Sequence, residues 1–164
     1  MNMISDLFSK ATGVVWLVQP YTFVTRRLLR QIRELTEREV EVHVMLAGKV
    51  QAPRFHYASF YGIKNLLEAG AKVWVYRPEK GALHAKAIVV DGRWASVGSA
   101  NLNTRSYYFS KEANLVFSDR ESVSKVVQCL EELKTNCRPV DADEARRYRT
   151  PSYLLAWLWM QLTG

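Results

Sequence analysis

The sequence has few of the residues that bind metals or cross-link chains. It contains two cysteines, Cys129 and Cys137, and three histidines. The cysteine spacing matches no metal-ligand motif, and both residues fall on or near the apolar side of a predicted helix. We therefore expect two reduced packing residues, with no disulfide framework, no zinc site and no cofactor.

Long apolar runs and acidic residues are also scarce. No stretch approaches the ~20 residues that a membrane-spanning helix needs. The N-terminal residues, MNMISDLFSKATG, lack the apolar segment and cleavage site of a signal peptide. Lysine and arginine number 23 against 16 aspartates and glutamates, a net charge of +7. This excess predicts an anionic partner, either phospholipid headgroups or nucleic acid, and the charge alone does not choose between them.

The remaining pattern is that of a globular protein, with 48% hydrophobic and 24% charged residues. Apolar runs and alternation predict strands over 14–18, 40–46, 72–76, 87–90, 94–97 and 113–117. Helical spacing predicts helices over 4–12, 25–38, 59–69 and 122–137, with a loop at 48–57 and a charged linker or helix at 141–149. Strands alternating with helices indicate an α/β fold, a mixed central β-sheet covered by helices on both faces. We expect one domain over 1–138, followed by a basic linker and an apolar C-terminal helix over 139–164.

The C-terminal segment SYLLAWLWMQL is apolar nearly all round. As a helix it would reach ~16 Å, about half the thickness of a bilayer core. Two interpretations stay open. The segment docks on this or another subunit, or it lies in a membrane interface beside Arg146, Arg147 and Arg149.

One stretch, LHAKAIVVDGRWASVGSAN over 83–101, carries the chemistry. His84 and Lys86 leave the same face of an extended segment that leads into an apolar strand. Imidazole can act as nucleophile or general acid, and an ammonium group neutralises phosphate oxygens. The turn signal Asp91-Gly92 would fold the return strand back, so that its end lies beside His84. The pattern favours phosphate chemistry, because the alternative, a basic surface hairpin with a solvent histidine, explains none of the spacing.

The motif H-x-K-x-x-x-x-D, followed by Gly98, Ser99 and Asn101, strongly resembles the signature of the phospholipase D superfamily. Three further stretches resemble bacterial cardiolipin synthases: PYTFVTRRLLRQI, SFYGIKNLLEAGAKVWVY and GRWASVGSANLNTRSYYFSKEANLVF. The likeness covers most of residues 10–120 and is to the C-terminal half of such an enzyme. It implies a phospholipase D-like α-β-α sandwich.

The resemblance also implies a role for each site residue. His84 would be nucleophile or general acid, and Glu112 would hydrogen-bond its second nitrogen. Asp91 follows the strand beside a turn glycine, so a structural or orienting role is favoured over direct catalysis. Arg105 would be a phosphate or structural partner, and Gly98 would supply tight backbone. The substrate phosphate would be bound by Lys86, Ser99 and Asn101.

The chain departs from the superfamily in holding one such motif. Superfamily sites use two histidines, and neither His43 nor His56 has a lysine two residues later. The chain would therefore form a homodimer, pair with a separate N-terminal half, or be inactive alone. Aromatic residues near the motif offer apolar surface for such an interface: Trp94, Tyr107, Tyr108 and Phe109.

The leading hypothesis is phospholipase D-type phosphodiester transfer on phospholipids through a phosphohistidine, as a cardiolipin synthase-like phosphatidyltransferase. Such an enzyme would lie peripherally on the bacterial cell membrane, and otherwise in the cytoplasm. One alternative is a homodimeric single-motif nuclease, favoured by small size and basic charge. Another is a truncated fragment that binds phosphate or membrane without turnover.

Overall fold

The computed structural model describes residues 3–49, 52–103, 105–106 and 109–163. The strands in this part of the chain are β1 (Val14–Gln19), β2 (Glu41–Ala47), β3 (Lys72–Tyr76), β4 (Ala87–Val90), β5 (Trp94–Gly98), β6 (Asn114–Phe117) and β7 (Cys137–Val140). The α-helices described are α1 (Met3–Ser9), α2 (Arg26–Glu37), α3 (Pro53–Tyr61), α4 (Ile63–Glu68), α5 (Arg120–Thr135), α6 (Ala142–Arg147) and α7 (Pro151–Thr163). A short 3₁₀ turn spans Pro78–Lys80.

The strands form one mixed sheet in the order β6-β5-β4-β1-β2-β3-β7. β1, β2 and β3 run parallel, whereas β4 is antiparallel to β1 and to β5. Of the last two strands, β6 is antiparallel to β5 and β7 is antiparallel to β3. This arrangement brings the carboxyl end of β1, the start of β4 and the end of β5 to one edge of the sheet. The predicted mixed sheet is confirmed.

Helices cover both faces of the sheet, as predicted. Leu17, Val44 and Leu46 belong to the core cluster that also contains residues of α1, α2, α4 and α6. Met45 points to the opposite face and packs in the cluster that α5 covers. The alternation along β2 therefore follows the period of two that the sequence shows.

Two elements differ from the sequence prediction. The predicted loop at 48–57 contains the start of α3, because Pro53 occupies the first helical turn, where its missing N–H costs nothing. The predicted helix over 59–69 is divided at Gly62, where a side chain would place its Cβ 2.5 Å from Val24 Cγ2. Strand β7 was not predicted. It is short, and it carries Pro139, which an edge strand tolerates. The segment from 139 onward therefore begins inside the sheet.

Both cysteines are free, and they differ in burial. Cys137 is buried, and burial raises the pKa of its thiol to about 11. This is the packing role that was predicted. Cys129 is exposed on α5, so the prediction that it packs in the core was wrong.

His43 has a packing role in this fold. Its ring stacks on Trp16 with the ring centroids 3.9 Å apart, and its Nδ1 accepts a hydrogen bond from Trp74 Nε1 at 2.9 Å. Burial lowers the pKa of His43, and the carboxylate of Glu41 opposes that shift. His43 therefore contributes to packing, together with Trp16 and Trp74.

The C-terminal helix α7 docks on this chain along one of its faces. Tyr153 packs on Tyr57 and Trp157 on Tyr61, at centroid distances of 4.6 and 5.5 Å. Met160 is buried beside Phe23 and Ala58. The opposite face of the helix stays exposed. Within the described residues, no helix has the length and hydropathy required to cross a membrane.

Candidate active site at the start of strand β4

The β4–β5 hairpin brings the two parts of the motif together. Asp91 and Gly92 have φ angles of 53° and 61°, which lie in the left-handed region that the turn requires. Ala87 pairs with Val97, and the Gly98 amide donates to the Lys86 carbonyl at 3.2 Å. The end of β5 therefore lies beside the segment that carries His84, as the turn signal predicted.

His84 and Lys86 differ sharply in exposure. The His84 side chain is exposed and makes no hydrogen bond within the described part of the chain. Lys86 is 8% exposed, and its Nζ donates to the His84 carbonyl at 2.9 Å. Burial lowers the pKa of Lys86, while the Glu112 carboxylate opposes that shift. The lysine thus holds the backbone of His84 and places a positive charge on the residue that carries the imidazole.

Glu112 is held by two hydroxyl groups. Its Oε2 accepts from Ser99 Oγ at 2.6 Å, and its Oε1 accepts from Ser106 Oγ at 2.7 Å. These two bonds lower the pKa of Glu112, so the carboxylate is charged at neutral pH. Ser106 Oγ also accepts from the Asn101 amide at 3.2 Å. The predicted bond from Glu112 to the imidazole stays a prediction.

Strand β6 passes directly against the turn that follows β5. A Cβ added to Gly98 would lie 2.2 Å from the Ala113 carbonyl oxygen and 2.6 Å from Asn114 Cα, so only glycine fits. Asn114 Oδ1 accepts from the Ala100 amide at 3.2 Å, and its Nδ2 donates to Ser96 at 3.1 Å. Sequence reasoning missed both Ser106 and Asn114.

Asn101 and Arg105 belong to the segment between β5 and β6. Asn101 Oδ1 is buried and has no hydrogen-bond partner among the described residues. An unpaired buried acceptor costs about 1–3 kcal/mol, a cost that a donor on a bound ligand would remove. Arg105 is exposed. Burial raises the pKa of Tyr21, while the charge of Arg105 lowers it and that of Glu112 raises it. The Tyr21 hydroxyl is therefore within electrostatic reach of both groups.

A cavity of about 670 Å³ opens at His84. Its walls include Tyr21, Phe55 and Leu83, with the exposed cation Lys49 at its margin. Lys49 and Phe55 belong to the segment over 48–57 that was predicted to be a loop. Apolar walls with a cation at the margin suit a ligand that has an apolar part next to a phosphate. Across the described residues, no group of three or more His, Cys, Asp or Glu side chains is placed to hold a metal ion.

Asp91 lies at the other end of β4, away from His84. Its carboxylate accepts from the backbone amides of Thr12, Gly13 and Val14, each at 2.8 Å, and from the Thr12 hydroxyl at 3.0 Å. Burial raises the pKa of Asp91, but these hydrogen bonds outweigh it and the net shift is downward. The contacts tie the hairpin turn to the start of β1, which supports the structural role favoured from the sequence.

Replacing Asp91 by asparagine is expected to lower the free energy of unfolding by about 2 kcal/mol at pH 7, because charged hydrogen bonds are lost. Since the folded pKa lies below the unfolded value of about 3.9, the stabilisation is present above that value. It is lost as the pH falls through the folded pKa. Urea unfolding of wild type and variant should therefore converge in acid.

The control for this substitution is Asp143→Asn, which removes only an exposed ion pair with Arg146 and should cost less than ~1 kcal/mol. Equal losses in both variants, or an unchanged pH profile for Asp91→Asn, would contradict the structural role.

Comparison with known proteins gives one family model and a series of relatives. Residues 4–134 match the model described as "Cardiolipin synthase, PLD-like domain". Cardiolipin synthase 2 of Bacillus anthracis is 31% identical over 122 residues, which cover 74% of this chain and 23% of the relative. The major cardiolipin synthase of Bacillus subtilis is 30% identical over 161 residues, covering 98% of this chain and 31% of the relative. The chain therefore spans between 23% and 31% of the length of these relatives.

Solved structures share the fold. Phosphatidylserine synthase of Haemophilus influenzae Rd KW20 matches with a TM-score of 0.76 and 19% identity, over 98% of this chain and 42% of that one. Nuc of Salmonella typhimurium, a phospholipase D family member, matches with a TM-score of 0.70 and 14% identity, over 84% of this chain and 88% of that one. At these identities the likeness concerns the fold alone.

Proposed function

Because this chain belongs to the phospholipase D superfamily, in the family of cardiolipin synthase PLD-like domains, we propose that it supplies one histidine half of a phosphatidyltransferase site. The observation that carries the proposal is the cluster at one sheet edge. An exposed imidazole lies there next to a buried lysine and a hydroxyl-bound carboxylate. The names of the relatives point to phospholipids as the substrate class.

The reaction proceeds in two displacements. A nitrogen of one histidine, His84 or its counterpart, attacks the phosphodiester phosphorus, and a P–N bond forms as the bond to one alcohol breaks. The other histidine gives its proton to the departing alkoxide. It then takes the proton of an incoming alcohol, whose oxygen attacks phosphorus and breaks the P–N bond. With phosphatidylglycerol as donor and acceptor, the products are diphosphatidylglycerol and glycerol.

The neighbouring groups stabilise charge during these steps. Lys86 lies two residues after His84, is hydrogen-bonded to its carbonyl and would neutralise the phosphate oxygens as their charge redistributes. The Asn101 side-chain amide would donate to the same oxygens, and Ser99 would do so after its hydroxyl turns from Glu112 to the phosphate. Glu112, charged and held by Ser99 and Ser106, would support the positive form of the imidazole. The roles of Gly98 and Asp91 are to shape the backbone that holds these groups.

The second histidine would come from another motif. A second copy of this chain, or a separate N-terminal half, would place it opposite His84. A site of this kind acts on lipids that reside in a membrane, so a peripheral position on the bacterial membrane accompanies the proposal.

A second candidate function is nucleic-acid phosphodiester cleavage. The net charge of +7 favours it, as does the fold shared with Nuc, a chain of similar extent. The apolar walls of the cavity at His84 favour lipid instead, because a nucleotide chain offers no long apolar part to fill them.

The test is a parallel assay on phosphatidylglycerol vesicles and single-stranded DNA. The chain is assayed alone and with an added N-terminal half of a cardiolipin synthase such as that of Bacillus subtilis. We expect glycerol release from the lipid and none of the DNA cleaved. Activity should persist in EDTA, because the histidine nucleophile and the lysine charge need no metal ion. DNA cleavage would support the nuclease. Turnover of neither substrate, with or without the added half, would support a binding fragment.

A further inference from the structure

Helix α7 has two apolar faces, and only one of them is covered. Tyr153, Ala156, Trp157 and Met160 face α3 and the neighbouring core. The outer face consists of Leu154, Leu155, Leu158 and Trp159, which are 36%, 66%, 44% and 43% exposed. A surface helix of a globular protein ordinarily carries polar residues on its outer side. Four adjacent large apolar side chains there mark an interaction surface.

A cation borders this outer face, and another lies on the preceding helix. The Arg54 guanidinium lies 4.6 Å from the centroid of the Trp159 ring, and Arg147 is exposed on α6. The acidic groups of the same region have partners on their own element or beside it. Asp143 pairs with Arg146, and Glu144 pairs with Arg138 at 2.6 Å. The surface therefore combines an apolar centre with a basic margin, which fits an anionic lipid surface.

One helix, α3, separates the outer face of α7 from the cavity that opens at His84. Phe55 of α3 forms part of the cavity wall. Arg54 contacts both sides, since its guanidinium lies 5.5 Å from the Phe55 ring and 4.6 Å from the Trp159 ring. A surface that covers the outer face would therefore lie beside the cavity.

We propose that the outer face of α7 inserts into the interface of an anionic phospholipid bilayer and sets the cavity at His84 against the lipid surface. The helix has 13 residues, about 20 Å in length, which is less than the ~30 Å of a hydrocarbon core. It therefore lies in the membrane plane, with its apolar side buried ~5–10 Å among the headgroups and first methylenes. The delivery of substrate to His84 rests on the proposed function, whereas the membrane contact does not.

A second copy of the chain fits this surface less well. In a two-fold contact the same patch meets itself, so Arg54 and Arg147 of both copies would enter one interface. Like charges brought together oppose such a contact. The same cations would be attracted to the headgroups of an anionic bilayer.

Co-sedimentation with vesicles tests the proposal. The vesicles contain equal parts of phosphatidylglycerol and phosphatidylcholine, or phosphatidylcholine alone. The double variant Leu155→Gln, Leu158→Gln keeps the charge and the helix propensity while removing apolar contact. We expect it to bind the mixed vesicles on the order of a hundredfold more weakly than wild type. The control Leu115→Gln alters a side chain that is 68% exposed on β6 and should bind as wild type.

The outcomes separate this inference from the proposed function. His84→Ala should bind vesicles as wild type does, whatever its activity. The α7 variant should keep its turnover of short-chain phosphatidylglycerol below the micelle concentration and lose it on vesicles. Unchanged vesicle binding by the double variant would overturn the proposal. So would equal loss in the Leu115 control, or a change from dimer to monomer in light scattering without lipid. If the double variant unfolds in circular dichroism, Leu155→Gln alone carries the test.

Discussion

Replacing His84 by alanine is expected to abolish phospholipid turnover and to leave stability unchanged. The side chain is exposed and makes no hydrogen bond in the part of the chain that the structure describes, so its removal leaves no cavity and no unpaired group. Changes of this kind stay within about 0.5 kcal/mol of wild-type stability. Loss of a nucleophile or its acid costs on the order of 10⁴-fold or more in rate. Glycerol release and thermal unfolding measure the two effects separately.

Two lysines provide a matched control for the charge beside His84. Lys86→Ala should also lose several orders of magnitude in rate, because it removes a buried cation close to the reacting phosphate. Lys80 is an exposed cation in the preceding 3₁₀ turn, and Lys80→Ala should act as wild type. More than a tenth of wild-type activity in His84→Ala would end the assignment of the site.

Mixing inactive and active subunits is expected to lower activity faster than the wild-type fraction falls. If two copies share one site, a His84→Ala subunit paired with wild type leaves a single histidine, which supplies either the nucleophile or the acid and not both. With free exchange, activity should follow roughly the square of the wild-type fraction, because residues that act as one unit are not additive. The measurement is a titration of the variant into wild type at constant total protein.

The control for that experiment is Leu115→Gln, which leaves His84 in place. Mixing it with wild type should leave the activity unchanged. A linear decline, or full activity from a chain that stays monomeric in light scattering, would rule out the shared site. If the chain alone is inactive, the separate half is required. Activity should then appear on adding an N-terminal half of a cardiolipin synthase and should vanish with His84→Ala.

The sequence predicted most of the sheet, because its central strands have the strongest patterns. Residues 14–18 are a continuous apolar run and residues 40–46 alternate, and strands β1 and β2 lie within one residue of these places. Strand β7 was missed because four residues after a long helix show no period, and only pairing with β3 defines them. The start of α3 was missed although Pro53 is a start signal, since aromatic residues at 55 and 57 resembled a surface loop.

The candidate site was likewise predictable only in part. His84, Lys86 and the end of β5 could be predicted as neighbours, because a two-residue turn fixes the register of a hairpin. Tyr21 could not, because it comes near Glu112 only through the packing of segments that are distant in sequence. Ser106 is close to Glu112 in sequence, but it lies in a stretch with no periodic pattern that would predict their contact. Trp94, considered for an interface, packs half-buried against the core and pairs with Val90, at the end of β4 remote from His84. Tyr107 and Tyr108, considered with it, lie outside the described residues.

The fit of Gly98 against β6 has an evolutionary consequence. His84 is dispensable to the fold, whereas any side chain at Gly98 collides with the Ala113 and Asn114 backbone and would displace Glu112 with it. A gene copy released from selection for catalysis is therefore free to lose the histidine first. The glycine outlasts it as long as the protein is still selected to fold. Among decayed copies of this domain, a retained glycine with a lost histidine is therefore the expected combination, whereas the reverse combination would require the Ala113 and Asn114 backbone to shift.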